Sequence, residues 1–118
     1  MKATLRSVVP LIPSGGSLAE ALTLFTRHLG FTIVWQDGGM AGVRREGVAF
    51  HLVENDNRTW AENASFRIGV SDLDALYEEY RRVPARVGPL EVKPWGRREF
   101  HMILPSSVCL QFFEQDVA

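Results

Sequence analysis

The order of predicted secondary-structure elements repeats once along the chain, and this repetition limits the possible folds more than any other feature. Each half carries signals for a strand, a helix and three further strands, in that order. Repetition of one supersecondary unit is typical of an internal duplication. The sequence therefore predicts one α+β domain, residues 1–118, built from two tandem βαβββ modules at about residues 1–55 and 63–118. We expect the modules to form a curved mixed sheet with a concave ligand groove.

One pair of strands carries the repetition at the level of residues. The stretch VAFHLVE at residues 48–54 lines up with VCLQFFE at residues 108–114. Both are apolar, with a polar residue in the middle (His51 or Gln111) and a carboxylate three places later. Identity between the two stretches is low, so the match rests on the pattern of residue types.

Helix signals occur in both halves. Ser17 and Glu20 form a capping box, in which side chains satisfy the free N–H groups of a helix start. Gly30 is a typical residue at a helix end. In the second half, Ser71 or Asp72 is predicted to cap a helix with an apolar stripe at helical spacing.

The remaining segments are predicted as strands and loops. Residues 5–13 are apolar and rich in β-formers but contain two prolines, so this strand is expected at an edge or beside a break. The polar residues 55–63 are predicted as a loop, and residues 84–94 as irregular chain with one short strand at 90–92.

Alternation along the strands predicts which side chains share a face. Successive side chains of a strand point to opposite faces. If the apolar set packs under the helices, the other set lines the opposite, concave side. That set includes His51, Arg67, Gln111 and Phe113. A mixed polar and apolar lining is typical of ligand pockets.

Composition excludes several classes of protein. The formal net charge is -1, which argues against nucleic-acid binding because that normally needs a basic surplus. The basic pairs at 44–45, 81–82 and 97–98 are interpreted as solvated edges. No stretch is apolar enough for a membrane span. The lone Cys109 cannot form an intrachain disulfide, and the first residues do not have the pattern of a signal peptide. We therefore expect a cytoplasmic protein.

The ordered segments resemble the vicinal oxygen chelate superfamily of glyoxalases, extradiol dioxygenases and antibiotic-binding resistance proteins. The resemblance is carried by SLAEALTLFTRHLGF, FRIGVSDLDALYEEY and LPSSVCLQFFE. Within the superfamily the chain looks most like the bleomycin resistance proteins, through SVVPLIP, FTRHLGF, MAGVRREGVAF, LDALYEEY and KPWGRREF. The family's closing turn is usually Asp-Pro-x-Gly-Asn, whereas residues 104–108 read Leu-Pro-Ser-Ser-Val. We expect this turn to be built differently.

The resemblance implies four positions for metal ligands on the concave strands. They fall near residues 8–10 and on His51, Ser65 and Gln111, and only His51 is a good ligand. A catalytic metal site needs about three strong protein ligands. Metal-free catalysis needs a nucleophile beside a base, and no serine or cysteine neighbours His51 in sequence. We therefore predict no metal, no cofactor and no catalytic residue.

The three tryptophans are candidates for ligand stacking, with packing in the core or a dimer interface as the alternative. Trp35 ends a strand, Trp60 lies in the polar loop and Trp95 follows a proline. The resemblance implies that Trp35 and Trp95 stack on the flat bithiazole tail of bleomycin. It also implies that Arg67 replaces an aromatic residue of the family, which weakens stacking and adds positive charge. The predicted ligand site comprises Trp35, His51, Trp60, Arg67, Trp95, Gln111 and Phe113.

The leading hypothesis is a protein that sequesters a bleomycin-type or other aromatic cationic compound without changing it. The resemblance implies a homodimer, often with an exchanged N-terminal strand, and Pro10 and the Ser-Gly-Gly hinge at 14–16 fit such an exchange. Three alternatives remain: a metal-dependent lyase or dioxygenase, a metal-dependent thiol-transfer resistance enzyme, and a regulatory or scaffolding domain that uses its groove only to pair.

Overall fold

The computed structural model describes residues 1–115, whose elements follow the predicted order with some additions. The first module contains β1 (Leu11–Pro13), α1 (Leu18–Thr23), a π-helical turn (Leu24–His28), β2 (Thr32–Asp37), β3 (Met40–Arg45) and β4 (Val48–Val53). The second contains α2 (Arg58–Glu62), β5 (Ser65–Val70), α3 (Leu73–Tyr80), β6 (Arg86–Val87), β7 (Glu91–Val92), β8 (Arg98–Ile103) and β9 (Cys109–Glu114). Within this part of the chain, none of the helices has the length and apolar character needed to cross a membrane.

The strands form two mixed sheets, one in each module. The first sheet has the order β1-β4-β3-β2, and the second has β5-β9-β8-β6, with β7 also paired to β8. In each sheet the leading strand runs parallel to the last strand of its module, and the other pairs are antiparallel. The predicted α+β class is confirmed, with the strands divided between two hydrogen-bonded sheets.

The two sheets also share their register. In the first sheet Leu11, His51 and Gly42 lie side by side across β1, β4 and β3. In the second sheet Arg67, Gln111 and His101 lie side by side across β5, β9 and β8. His51 and Gln111 therefore occupy equivalent places, as the sequence match indicates. The division into pseudo-repeats stays a prediction about how the chain arose.

The carboxylate at the end of each matched strand caps the helix of its own module. Glu54 Oε1 accepts a hydrogen bond from the backbone N–H of Leu18 at 2.9 Å. Glu114 accepts from the backbone N–H groups of Asp72 and Leu73 at 3.0 and 3.2 Å. The first N–H groups of a helix have no intrahelical partner, and negative charge is favourable there. These contacts give the repeated carboxylate a structural role.

The buried core lies on the face of each sheet that alternation predicted. Phe50 and Leu52 of β4, and Leu110 and Phe112 of β9, are at most 4% exposed. The ring of Phe50 also contacts that of Phe66 across the two modules, with centroids 5.8 Å apart. Such ring contacts add to the stabilisation that comes from burying apolar surface.

Arg45 joins the two modules. The interpretation of the basic pair at 44–45 as a solvated edge was therefore wrong for Arg45. Its guanidinium donates hydrogen bonds to the carbonyl of Leu29, the hydroxyl of Tyr80 and both carboxylate oxygens of Glu79. The Glu79 bonds raise the pKa of Arg45, and burial raises the pKa of Tyr80 to about 12. The bidentate geometry that a guanidinium offers explains why an arginine stands here.

Two local predictions were wrong. The strand expected at residues 5–13 is confined to Leu11–Pro13, and Leu5 and Val8 are almost fully exposed in an N-terminal arm, residues 1–10. The predicted loop at 55–63 contains α2, because Asn57 Oδ1 accepts the backbone N–H of Trp60 at 3.0 Å and caps the helix. Trp60 thus lies on a helix.

The closing turn has a residue with positive φ. Ser107 stands where the family has glycine, and its φ is 89°. Its N–H donates to the carbonyl of Leu104 at 2.8 Å, which closes the turn. Positive φ is uncommon for a residue with a side chain. The expectation that this turn is built differently from that of the family stays a prediction.

Candidate functional site

The candidate site lies on the outer faces of the two sheets, meaning the faces that point away from the buried core. Strand alternation places His51 on the outer face of the first sheet, and Arg67, Gln111 and Phe113 on that of the second. These residues are half-buried or exposed while their strand neighbours are largely covered. The face assignment made from the sequence is confirmed for all four.

Trp35 reaches the outer face through an irregularity in β2. Ile33 pairs with Val43 and Trp35 with Gly42, so Val34 is an extra residue without a partner in the β2–β3 ladder. In an unbroken ladder Trp35 would pair with Ala41, which is fully buried. An extra residue in one strand re-aims the side chains that follow it. The bulge thus turns Trp35 from the core side to the outer face.

Trp35 packs on His51 above Gly42. The two rings meet edge to face, with centroids 5.0 Å apart and planes at 83°. A Cβ atom on Gly42 would overlap the indole of Trp35, so only glycine leaves room for this position of the ring. The indole remains 37% exposed. The sequence did not indicate the importance of Gly42, because its role depends on a ring from the adjacent strand.

Glu99 is the centre of the site on the second sheet, although its carboxylate has no exposed surface. Its oxygens accept hydrogen bonds from Arg67 Nη1 at 3.2 Å and Nη2 at 2.6 Å, and from the indole Nε1 of Trp95 at 2.7 Å. Nε2 of His101 lies 2.9 Å from Oε1. The Arg67 bonds lower the pKa of Glu99 to about 2, with smaller contributions from His101 and Trp95, against the opposing effect of burial.

Gln111 and Phe113 extend this network. The side-chain oxygen of Gln111 accepts from Arg67 Nη1 at 2.8 Å, and its nitrogen donates to Ser65 Oγ at 2.9 Å. The guanidinium carbons of Arg67 and Arg97 lie 4.9 and 5.0 Å from the centre of the Phe113 ring. Cations are attracted to an aromatic ring at such distances. The second sheet therefore presents an ordered polar and aromatic surface.

The structure brings six of the seven predicted residues into two groups. The first group is Trp35 with His51, and the second is Arg67, Trp95, Gln111 and Phe113 around Glu99. Within residues 1–115, no hydrogen bond, ion pair or ring contact joins the two groups, or joins Trp60 to either. Trp60 is half-buried on α2, and its place in the predicted site is unsupported by any contact.

Sequence reasoning missed Glu99 and His101. His101 lies in β8, between β9 and β6, and pairs with Gln111. Alternation along β8 could have placed both residues on the outer face, because Glu99 and His101 alternate with the fully buried Phe100 and Met102.

A cavity lies elsewhere, between the modules. It has a volume of about 730 Å³ and meets the N-terminal arm at Val8 and Pro10. Its walls include core-side residues of both sheets, and Arg67 is the one predicted site residue among them. Nearby, the β5 edge that does not pair with β9 has no strand partner in this part of the chain. The cavity thus lies mainly on the core side of the sheets and borders the outer face of the second sheet at Arg67.

The implied metal positions do not fit a metal ion. Gln111 and Ser65 are hydrogen-bonded to each other, and the guanidinium of Arg67 lies on the Gln111 oxygen. A positive charge at that place repels a cation. Over residues 1–115, no three His, Cys, Asp or Glu side chains form a group that could hold an ion. These side chains therefore do not supply the three or so strong protein ligands that a catalytic metal site needs.

Sequence comparison finds known resistance proteins that are similar to this chain. A scan against family models gives no match. Bleomycin resistance proteins of Geobacillus stearothermophilus and Staphylococcus aureus are 26% identical over 126 aligned positions, covering 91% of this chain and 95% of theirs. The chain is therefore similar in sequence to bleomycin resistance proteins over nearly its whole length.

Comparison with solved structures agrees with this similarity. The bleomycin-binding protein of Streptomyces verticillus, in complex with copper(II)-bleomycin, has a TM-score of 0.83 and 27% identity, and the match covers 98% of this chain and 100% of that one. A bleomycin resistance determinant from transposon Tn5 has a TM-score of 0.81 at 19% identity, covering 96% and 100%. A glyoxalase/bleomycin resistance/dioxygenase protein from Nocardioides has a TM-score of 0.75 at 16% identity, covering 96% and 85%. The last two show the shared fold alone.

Proposed function

We propose that this chain binds a bleomycin-type or other aromatic cationic antibiotic and sequesters it unchanged. The observation that carries the proposal is the match, over 98% of the chain, to a protein solved with copper(II)-bleomycin bound. The resistance proteins that are similar in sequence support the same function. The outer faces of this chain supply surfaces that suit a flat ligand.

Two partly exposed indoles are the proposed contacts for the flat part of the ligand. Trp35 is 37% exposed and is held by His51 and Gly42, and Trp95 is 58% exposed and is tethered through Nε1 to Glu99. A ring held in place before binding loses little freedom when the ligand arrives. Stacking on each indole contributes about 0.5–2 kcal/mol.

Binding without chemistry is consistent with how the polar groups are arranged. Glu99 has a pKa of about 2, so it is a weak proton acceptor near neutral pH, where an effective general base has a pKa close to the working pH. The Gln111, Ser65 and Arg67 side chains are engaged with one another. His51 packs against an indole. This arrangement favours a binding protein over a hydrolase or transferase.

We further propose that the groove forms in a homodimer. The two groups of site residues make no contact within one chain, so a two-fold partner is the simplest way to bring Trp35 of one protomer near Trp95 of the other. The exposed Leu5 and Val8 of the N-terminal arm and the open edge of β5 provide a surface for pairing. Exchange of this arm between protomers, and a cytoplasmic location, remain predictions.

Calorimetric titration with metal-free and copper(II)-bleomycin tests the proposal. We expect saturable binding with one ligand per chain, and an unchanged mass for the ligand recovered afterwards. Trp35→Ala and Trp95→Ala are expected to weaken binding by about tenfold or more each, while Trp60→Phe serves as the control and leaves it unchanged. Absence of binding heat with both forms of the drug would exclude bleomycin as the ligand. Loss of pairing in the Trp35 and Trp95 variants without any ligand binding would favour the scaffolding alternative.

A further inference from the structure

Two flat side chains on the outer face of the second sheet bind the same carboxylate oxygen. Oε2 of Glu99 accepts one hydrogen bond from Arg67 Nη2 at 2.6 Å and another from the indole Nε1 of Trp95 at 2.7 Å. A guanidinium is planar and rigid, as an indole is. Because both donors reach one oxygen atom, the two flat groups are neighbours, although Arg67 stands on β5 and Trp95 lies between β7 and β8.

Three neighbours hold the Arg67 guanidinium in place. Glu99 binds it through both carboxylate oxygens, at 2.6 and 3.2 Å, and the side-chain oxygen of Gln111 accepts from its Nη1 at 2.8 Å. Its central carbon lies over the ring of Phe113, 4.9 Å from the ring centre. The side chain of Arg67 is nevertheless 44% exposed. The guanidinium is thus fixed before any ligand arrives and keeps surface for a second flat partner.

The charge of Arg67 is balanced by Glu99. The Glu99 carboxylate has no exposed surface, and its pKa of about 2 keeps it ionised near neutral pH. Hydrogen bonds between a guanidinium and a carboxylate are stronger than those between neutral groups, so the pair stays together. A cationic ligand therefore meets a neutral ion pair at this place.

We propose that the Arg67 guanidinium is a stacking group for the ligand and forms, with the indole of Trp95, a two-part flat surface fixed by Glu99. The inference rests on the proposed function and adds what selects among its ligands. Guanidinium groups stack on aromatic rings, as this one does on Phe113. Cationic ligands whose flat part is long enough to cover both groups are favoured over ligands with a single ring. Arginine at this place thus supports stacking, in contrast to the expectation from the sequence that it weakens stacking.

Two flat cations of different size test the selection. 9-Aminoacridine and 4-aminopyridine are both cationic near neutral pH and share an aminopyridine unit, but the first has three fused rings and the second has one. We expect calorimetric titration of the wild type to show tighter binding of 9-aminoacridine. Arg67→Lys keeps the positive charge beside Glu99 but removes the planar group. It is expected to weaken 9-aminoacridine binding by about fivefold, the size of one exposed contact between a cation and a ring, and to change 4-aminopyridine binding less.

Arg98→Lys is the matched control. Arg98 lies in the same sheet and is paired with Asp74 at 2.7 Å, so the same substitution alters an arginine ion pair outside the site and is expected to leave binding unchanged. Phe113→Leu is a second test, because it leaves Arg67 and Glu99 in place but removes the ring beneath the guanidinium. We expect it to weaken 9-aminoacridine binding by about twofold or more. Thermal unfolding checks that each variant is folded, and Phe113→Leu decides if Arg67→Lys is not.

The outcomes separate this inference from the proposed function. Unchanged 9-aminoacridine affinity in a folded Arg67→Lys protein, equal affinity of the wild type for the two probes, or no binding of 9-aminoacridine would overturn the stacking role of Arg67. Binding of copper(II)-bleomycin in that situation would leave the proposed function intact. A 9-aminoacridine affinity that depends on Arg67, in a protein that gives no heat with bleomycin, would support the stacking role and exclude that drug.

Discussion

The two sheets have the same strand order and register, yet their outer faces differ in chemistry. The row Leu11, His51 and Gly42 of the first sheet continues to Trp35 and carries no ion pair. The equivalent row of the second sheet, Arg67, Gln111 and His101, is joined to the buried Glu99 by hydrogen bonds. The core faces and the helix-capping carboxylates are alike in both. The comparison teaches that the shared framework fixes backbone positions, while the side chains on the outer faces are free to diverge.

The largest expected difference between the two outer faces is in the stability lost when each face loses its central polar side chain. Glu99→Ala leaves Arg67, Trp95 and His101 without their shared acceptor, and a hydrogen bond to a charged group typically contributes about 1.5–3 kcal/mol. We expect a loss of about 3 kcal/mol in the free energy of unfolding, measured by urea denaturation. His51→Ala removes only a ring contact and is expected to cost about 1 kcal/mol. Equal losses for the two variants would contradict the account.

Acid sensitivity should also be concentrated in the second sheet. The pKa of Glu99 falls from its ordinary 4.5 to about 2 in the folded protein. The stabilisation it provides is therefore complete above about pH 5 and is lost as the pH falls through about 2. We expect this to contribute about 3 kcal/mol to the acid dependence of stability. Denaturation curves of the wild type and Glu99→Gln from neutral pH to about pH 2 check this, and a Glu99→Gln variant with the full acid dependence would argue against it.

Gly42→Ala tests the packing of the first sheet. The added Cβ overlaps the indole of Trp35, so the ring must leave its position on His51. Because a side chain can move where backbone cannot, we expect a modest loss of stability, about 1–2 kcal/mol, but a clear change in tryptophan fluorescence and near-ultraviolet circular dichroism. Gly47→Ala adds a methyl group where no atom lies nearby and provides the comparison. Unchanged spectra in Gly42→Ala would show that the indole is not seated there.

The smallest expected difference in stability concerns the two carboxylates that cap α1 and α3. Glu54 satisfies one backbone N–H of α1, and Glu114 satisfies two at the start of α3. Loss of a cap costs about 0.5–2 kcal/mol. We expect Glu114→Ala to destabilise the protein more than Glu54→Ala, both within this range, as measured by thermal unfolding. The reverse order would mean that the number of accepted bonds does not set the effect.

The fold was largely predictable because its signals are local. Alternation along β4, β5 and β9 assigns the core faces without knowledge of the neighbours, and Ser17 marks a helix start through its own side chain. The prediction for residues 55–63 was wrong because the cap at Asn57 is a single side chain in a polar segment.

The site was only partly predictable because its contacts are long-range. Alternation along the strands predicts the outer-face positions of Arg67, Gln111 and Phe113. Alternation alone would place Trp35 in the core, because it does not account for the bulge at Val34. Burial of Glu99 depends on Arg67, which lies 32 residues away in sequence. A carboxylate in a strand is otherwise expected to face solvent, so the central role of Glu99 can be recognised only when the strands are assembled into a sheet.

A crystal structure of the protein with copper(II)-bleomycin tests the central claim most directly. The account predicts one drug molecule per protomer, with its flat bithiazole tail between Trp35 of one protomer and Trp95 of a two-fold partner, and with the drug chemically intact. A drug molecule bound only in the cavity between the two modules, away from both indoles, would contradict it.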